Sequence, residues 1–133
     1  MKKIAVFISG GGTDLQSLID KVHEKSGLIS LVVSSRGDAY GLERAKAVGI
    51  ETMVLPKSDY DSAVLEELKR REVEWIVLAG FLKILSPEFI RHFPRHIVNI
   101  HPSLIPSFCG KGYYGLKVHE AALAYGVKVT GAT

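Results

Sequence analysis

Apolar residues alternate along the chain between two rhythms: short unbroken runs rich in β-branched side chains, and stripes spaced three and four residues apart. The first run, residues 3–8, carries Ile4, Ala5, Val6, Phe7 and Ile8 with no polar break, which predicts a strand covered on both faces. Behind it Leu15, Leu18, Ile19 and Val22 fall at i, i+3, i+4 and i+7, predicting a helix with one apolar stripe and with Gly27 ending the unit. The alternation continues with a strand at residues 28–33, a helix at 40–48 closed by Gly49, and a strand at 50–55 stopped by Pro56. A helix at 59–71 turns Val64, Leu65 and Leu68 inward, and residues 75–79 predict a fourth strand. Ser86-Pro87-Glu88 reads as the start of a short helix, with a serine that can cap and proline at the first helical position. Residues 95–100 predict a fifth strand running into His101, residues 117–125 a helix, and residues 127–133 the beginning of a sixth strand. Strands joined through helices of these lengths pair in parallel by right-handed crossovers. The expected fold class is therefore α/β, a Rossmann-like three-layer α/β/α sandwich with a mostly parallel sheet.

In such folds ligands sit beyond the carboxyl ends of the strands, which here are residues 9–14, 80–85 and 99–106. Ser9-Gly10-Gly11-Gly12-Thr13-Asp14 would let the backbone approach a ligand closely, and the helix after it offers unpaired N–H groups suited to phosphate. Its contiguous glycines match neither the dinucleotide fingerprint nor the P-loop, and a plain tight turn explains them equally well. Asp14 would repel a phosphate unless its side chain turns to the helix amides as a cap. The second segment, Gly80-Phe81-Leu82-Lys83-Ile84-Leu85, is apolar for a loop. It reads either as a satellite core under the following helix or as one wall of a slot for a flat aromatic ligand. In the third, Asn99 and His101 stand two residues apart, so a strand through both would turn them to one face. Pro102 and Pro106 stiffen the loop behind them.

Composition narrows the picture. At 133 residues, with 47% hydrophobic and 23% charged residues, the chain has the material for one globular domain, residues 1–133. No apolar run reaches the length of a membrane span, and Met1-Lys2-Lys3 leads directly into a strand-like run with no cleavage-site pattern. The expectation is a cytoplasmic protein without a membrane partner. The single cysteine, Cys109, rules out an internal disulfide and a multi-cysteine metal site. The net charge of +3 is scattered, and its only run, Lys69-Arg70-Arg71, falls in a last helical turn where cations complement the helix dipole. Small anionic substrates fit that balance, whereas nucleic acid is not expected as a partner. His23, His92 and His96 lack ligand spacing and read as surface or packing residues, with His119 set apart as a candidate near a substrate; no metal is expected.

Taken in order and at their separations, residues 8–16, 77–87, 99–106 and 126–131 closely resemble the 10-formyltetrahydrofolate-dependent formyltransferases. The resemblance covers the whole chain, and within the family it is to the members that act on glycinamide ribonucleotide in purine synthesis. It implies that Gly12, Thr13 and Asp14 bind the substrate phosphate, that Leu82, Lys83, Ile84 and Leu85 form the folate slot together with Asn99 and, more weakly, Lys57, and that Asn99 and His101 are the catalytic pair. It implies 10-formyltetrahydrofolate as co-substrate, no metal, and a monomer or weak homodimer. The family's third catalytic member, an aspartate, and its final strand and helix would lie beyond the sequence corresponding to Thr133. The resemblance thus implies a domain incomplete at its C-terminus, open to association and to loss of activity. Asp14 where asparagine is common, Cys109 where proline is common and the longer loop at residues 110–115 depart from the family pattern. Related readings are transfer to methionyl-tRNA, hydrolysis of the formyl folate, and a non-catalytic phosphate-binding module.

Overall fold

A computed structural model describes residues 1–133. Five strands, β1 (Lys2–Ile8), β2 (Gly27–Ser34), β3 (Thr52–Val54), β4 (Trp75–Leu78) and β5 (Ile97–Asn99), build one sheet. They are separated by α1 (Thr13–Lys21), α2 (Gly41–Ala47), α3 (Tyr60–Arg70) and α4 (Pro87–Arg91), and α5 (Leu116–Tyr125) follows. The strand order is β3-β2-β1-β4-β5, and every neighbouring pair is parallel. The chain winds outward from β1 through β2 to β3, then returns to lay β4 and β5 on the other side of β1. The order therefore reverses between β1 and β4, the place where an open α/β sheet leaves a crevice at its carboxyl ends.

The unbroken apolar run of β1 is explained by burial on both faces. Ala5 and Phe7 face one core with Leu31, Val33, Val64, Leu68, Ile76 and Phe89, while Val6 and Ile8 face a second with Leu15, Ile19, Ile29, Val32 and Leu42. Alternation along a strand supplies the division. The stripe predicted for α1 holds for Leu15 and Ile19, which are buried, and for Leu18, packed against the same cluster; Val22, its fourth member, lies past the helix as its C-cap. At α4, the Phe89 N–H donates to Ser86 Oγ at 3.1 Å, with Pro87 opening the helix.

Four elements differ from expectation, one of them the strand expected over residues 95–100, which contracts to Ile97–Asn99. The strand expected over residues 50–55 contracts to Thr52–Val54 at the sheet edge, where only β2 offers a partner. Gly27 opens β2, in register with Lys2, rather than closing the helical unit; α1 has already ended at Lys21. No sixth strand forms over residues 127–133. Of that stretch only Thr133 pairs, exchanging two backbone hydrogen bonds of 2.8 Å with His101, and one exchanged pair is not a ladder.

The chain forms two compact units, Met1–Asn99 and Ile100–Thr133. The first contains the whole sheet and α1–α4. In the second, α5 buries Val118 and Ala122 and leaves Leu116, Leu123 and Tyr125 exposed.

Candidate functional site

The loop between β1 and α1 begins at Ser9, which is 3% exposed and whose hydroxyl is placed by two neighbours. Ser9 Oγ lies 2.5 Å from Ser35 Oγ, at the end of β2, and accepts the Leu82 N–H at 2.9 Å from the segment after β4. One buried hydroxyl thus ties together the carboxyl ends of three strands. Beyond it, Gly12 occupies the N-cap of α1 with φ 74°, a left-handed conformation that glycine adopts without penalty. A Cβ on Gly12 would stand 2.7 Å from Gly41 Cα, so two glycines let α2 press directly against the loop. Asp14 lies exposed in the first turn of α1, and the helix has no side-chain cap. The capping role considered for Asp14 is thereby corrected: the left-handed Gly12 backbone takes that position. An acidic residue in a first turn still complements the helix dipole.

The N–H groups of Gly11, Gly12, Thr13 and Asp14 find no acceptor within the chain. The Gly10 and Leu15 N–H groups are likewise without an acceptor; unpaired donors at a helix start, next to a sheet's reversal point, favour an anion, and the uncapped Asp14 carboxylate beside them works against it. The tight turn is real, and it also leaves this row of donors open.

The segment after β4 divides its apolar residues between the two uses weighed for it. Phe81 and Leu85 pack against the core cluster of Phe7 and Phe89, and Phe81 meets the Phe7 ring edge-on at 5.3 Å between centroids. Leu82 and Ile84 point away, 53% and 84% exposed, with Lys83 exposed between them. Two residues anchor the loop and two offer an apolar surface. The backbone is pinned at both ends, by Ser9 Oγ on the Leu82 N–H and by Tyr60, whose hydroxyl donates to the Ile84 carbonyl at 2.6 Å. Lys57 lies exposed in the segment between β3 and α3, and no ion pair or hydrogen bond joins it to residues 82–85.

Asn99 closes β5, paired in register with Leu78, and is exposed. Because β5 ends there, the two-residue alternation that would align Asn99 with His101 does not extend to the histidine. His101 belongs to the second unit and is half-buried. Its Nδ1 lies 2.9 Å from Ser103 Oγ, and its backbone is clamped by the exchange with Thr133. Thr133 Oγ1 in turn accepts the Ile105 N–H at 3.0 Å and donates to the Ser103 carbonyl at 2.6 Å.

Several contributors were not singled out from sequence. Ser9 stands in the glycine segment without a role of its own there, Tyr60 carries no motif, and Arg44 lies on a helix whose partner loop is far away in sequence. A small polar residue directly after a buried strand is the one signal that marks Ser9. The Lys69-Arg70-Arg71 run is structural: Arg70 and Arg71 both donate to Glu67, and Arg71 also reaches Glu51 and the Ser30 carbonyl. Arg70 first, then Arg71, hold the Glu67 carboxyl down at about 2. His23 is likewise a packing residue, its Nδ1 accepting the Ile29 N–H at 3.0 Å.

A parallel sheet that reverses at β1 and β4, with a glycine loop and helix start at the reversal, defines a doubly wound α/β protein with its ligand crevice at the strand carboxyl ends. The Formyl transferase family model matches residues 2–133, and the chain belongs to that family. Among curated relatives, phosphoribosylglycinamide formyltransferase of Haemophilus influenzae is 42% identical over 100% of this chain and 64% of its own length. The chloroplastic enzyme of that name from Vigna unguiculata is 39% identical over 99% of this chain and 45% of its own. Among solved structures, glycinamide ribonucleotide transformylase 1 from Symbiobacterium toebii superposes with a TM-score of 0.86 at 38% identity, covering 100% of this chain and 64% of that one. The chain spans about half the length of the curated relatives it matches. No helix is long and apolar enough to cross a membrane.

Proposed function

We propose that this chain carries the nucleotide-binding and carbonyl-activating part of a phosphoribosylglycinamide formyltransferase, which moves a formyl group from 10-formyltetrahydrofolate to the amine of glycinamide ribonucleotide. The observation that carries this reading is the row of unpaired amides at Gly11, Gly12, Thr13 and Asp14, in a member of the formyl transferase family. A ribonucleotide phosphate would take those amides, with the Thr13 hydroxyl as a further donor. The apolar faces of Leu82 and Ile84 would cover a flat pterin, and the pinned backbone beneath them would keep that surface in place. Lys57 and Lys83 complete the folate-side assignment, which rests on the resemblance, while Leu85, packed on the core, would serve it by anchoring the loop.

In the reaction, the substrate amine attacks the formyl carbon and a new C–N bond forms while the carbonyl oxygen takes the electron pair. The Asn99 carboxamide N–H is proposed to donate to that oxyanion, an interaction worth about 2.7–4 kcal/mol for one well-aimed donor. The tetrahedral centre then collapses, the bond to the folate nitrogen breaks, and that nitrogen must receive a proton as the attacking amine loses one. The His101 imidazole is proposed to move it, because a histidine can both take and give a proton near neutral pH. The chain is proposed to act as a monomer or weak homodimer, in the cytoplasm, with no metal, membrane or nucleic-acid partner.

A formyl-transfer assay tests the proposal. It uses both substrates, with the chain alone and with a chimera in which this chain replaces the matching part of the Haemophilus influenzae relative. Turnover by the chimera, lost on His101→Ala, supports it; a folded chimera that binds glycinamide ribonucleotide yet transfers nothing overturns the catalytic assignment.

A further inference from the structure

Three carbonyls follow β1 in succession, and each is taken by a donor from the body of the protein. The Gly10 carbonyl accepts the Gly41 N–H at 3.1 Å, the Gly11 carbonyl accepts Arg44 Nε at 2.8 Å, and the Gly12 carbonyl accepts the Gln16 N–H at 2.8 Å. These peptides are trans, since the one cis bond of the chain is Ile105–Pro106. A trans peptide carries its C=O and the following N–H on opposite edges of one plane. Holding the three carbonyls inward therefore turns the N–H groups of Gly11, Gly12 and Thr13 outward.

Two of the three donors are backbone amides fixed by α2 and α1. The middle one is a side chain, and its place is built. The Arg44 guanidinium also donates from Nη1 to Gln16 Oε1 at 3.3 Å and lies over the Tyr40 ring, 5.0 Å from its centroid. Its reach to Gly11 is short because α2 is close. A Cβ on Gly41 would stand 2.4 Å from Ile8 Cδ1, and one on Gly12 would meet Gly41 itself. Glycine makes this loop assemble and also makes it prone to turn over. Between Gly11 and Gly12 no Cβ resists a flip of the peptide plane, and such a flip would put a carbonyl oxygen where an N–H had pointed. An oxygen there repels an anion, as the N–H attracts it.

We propose that Arg44 is a positioning residue for phosphate: its bond to the Gly11 carbonyl locks the Gly11–Gly12 peptide with the Gly12 N–H facing the anion. The side chain acts through the loop and does not itself touch the phosphate. The inference rests on the reading of this loop as the seat of the ribonucleotide phosphate.

Calorimetric titration of the 133-residue chain with glycinamide ribonucleotide, and separately with inorganic phosphate, tests it. Arg44→Met is expected to raise Kd for both by about tenfold, the size of one hydrogen bond to a charged group. That ratio is expected to persist at high salt, because a locked peptide, unlike a distant charge, is not screened. Arg44→Lys, which keeps a donor for the Gly11 carbonyl, should recover most of the affinity. Gln16→Ala removes the partner of Nη1 without touching the loop and is expected to weaken binding about threefold; it decides the matter should the Met variant fail to fold. Unchanged Kd in folded variants, or a difference that vanishes with salt, overturns the role of Arg44 and leaves the phosphate reading standing. A wild-type chain that binds neither probe overturns both.

Discussion

Ser103 decides which nitrogen of His101 carries a proton. Its hydroxyl has one hydrogen, and that hydrogen goes to the Ser107 carbonyl at 2.5 Å, an atom that can only accept. Toward His101 the same oxygen must then accept, so the neutral ring is protonated at Nδ1 and leaves its lone pair on Nε2. Ser103 is buried, and Ser103→Ala should free the tautomer; it also releases the Ser107 carbonyl, so amide shifts are to check that the Ser107 backbone is left in place. In the chimera with the Haemophilus influenzae relative, the expected outcome under the proposed function is about a tenfold fall in kcat with little change in KM for glycinamide ribonucleotide, the worth of one orienting hydrogen bond. Imidazole nitrogen-15 shifts that already show Nε2–H in the unaltered protein would contradict it. In the sequence His101 is marked by its neighbours Asn99 and the prolines, whereas Ser103 is one more residue of the run 99–106. Nothing in a linear pattern tells that a hydroxyl two positions on is spoken for by a carbonyl four further along.

At the scale of elements, the joint of β1, α1 and α2 is the part most sensitive to change. Gly12→Ala must place a Cβ 2.7 Å from Gly41 Cα while holding φ at 74°, and that backbone cannot yield as the nearby Arg44 side chain could. A cost of about 1–3 kcal/mol is expected in urea unfolding, with an unchanged midpoint as the contrary result. The strands and helices themselves were largely legible. The doubly buried run of β1, the stripe of α1 and the Ser86-Pro87 start of α4 each follow from one local rule that the packing later satisfies. The misses share a cause. Residues 50–55 and 127–133 have the composition of strands, yet pairing decides a strand's length. Thr52–Val54 has one neighbour in the sheet, and residues 127–133 pair only at Thr133. The join of the glycine loop to α2 was illegible for a related reason, since Arg44 and Gly11 are 33 residues apart and carry no shared periodicity.

Across the whole molecule, acid should act through the carboxylates that basic groups hold ionised. Glu67 is lowered to about 2, chiefly by the hydrogen bond from Arg70; Glu51 is lowered chiefly by Arg71 and Glu74 chiefly by the Lys3 backbone N–H. A carboxyl group whose folded pKa lies below its unfolded value adds stability above that unfolded value, near 4.5 here, and loses it as pH falls toward the folded one. The denaturant midpoint is thus expected to hold through neutral pH and to fall between about 4.5 and 2. Arg71→Met should flatten that descent, because Arg71 serves both Glu67 and Glu51. A wild-type midpoint level down to about 2 would contradict it. The parallel sheet is legible in the alternation of strands and helices, whereas the strand order, with its reversal between β1 and β4, is set by packing and has no signal in the periodicity. The orientation of the loop's peptides has none either, because it is fixed by hydrogen bonds from another helix. The central claim is that those peptides present a row of amides to a phosphate. The most direct test follows the backbone amide resonances of the nitrogen-15-labelled chain during titration with glycinamide ribonucleotide. The account predicts that Gly11, Gly12, Thr13 and Asp14 shift together and saturate with one Kd; saturable binding that leaves those four amides unmoved would contradict it.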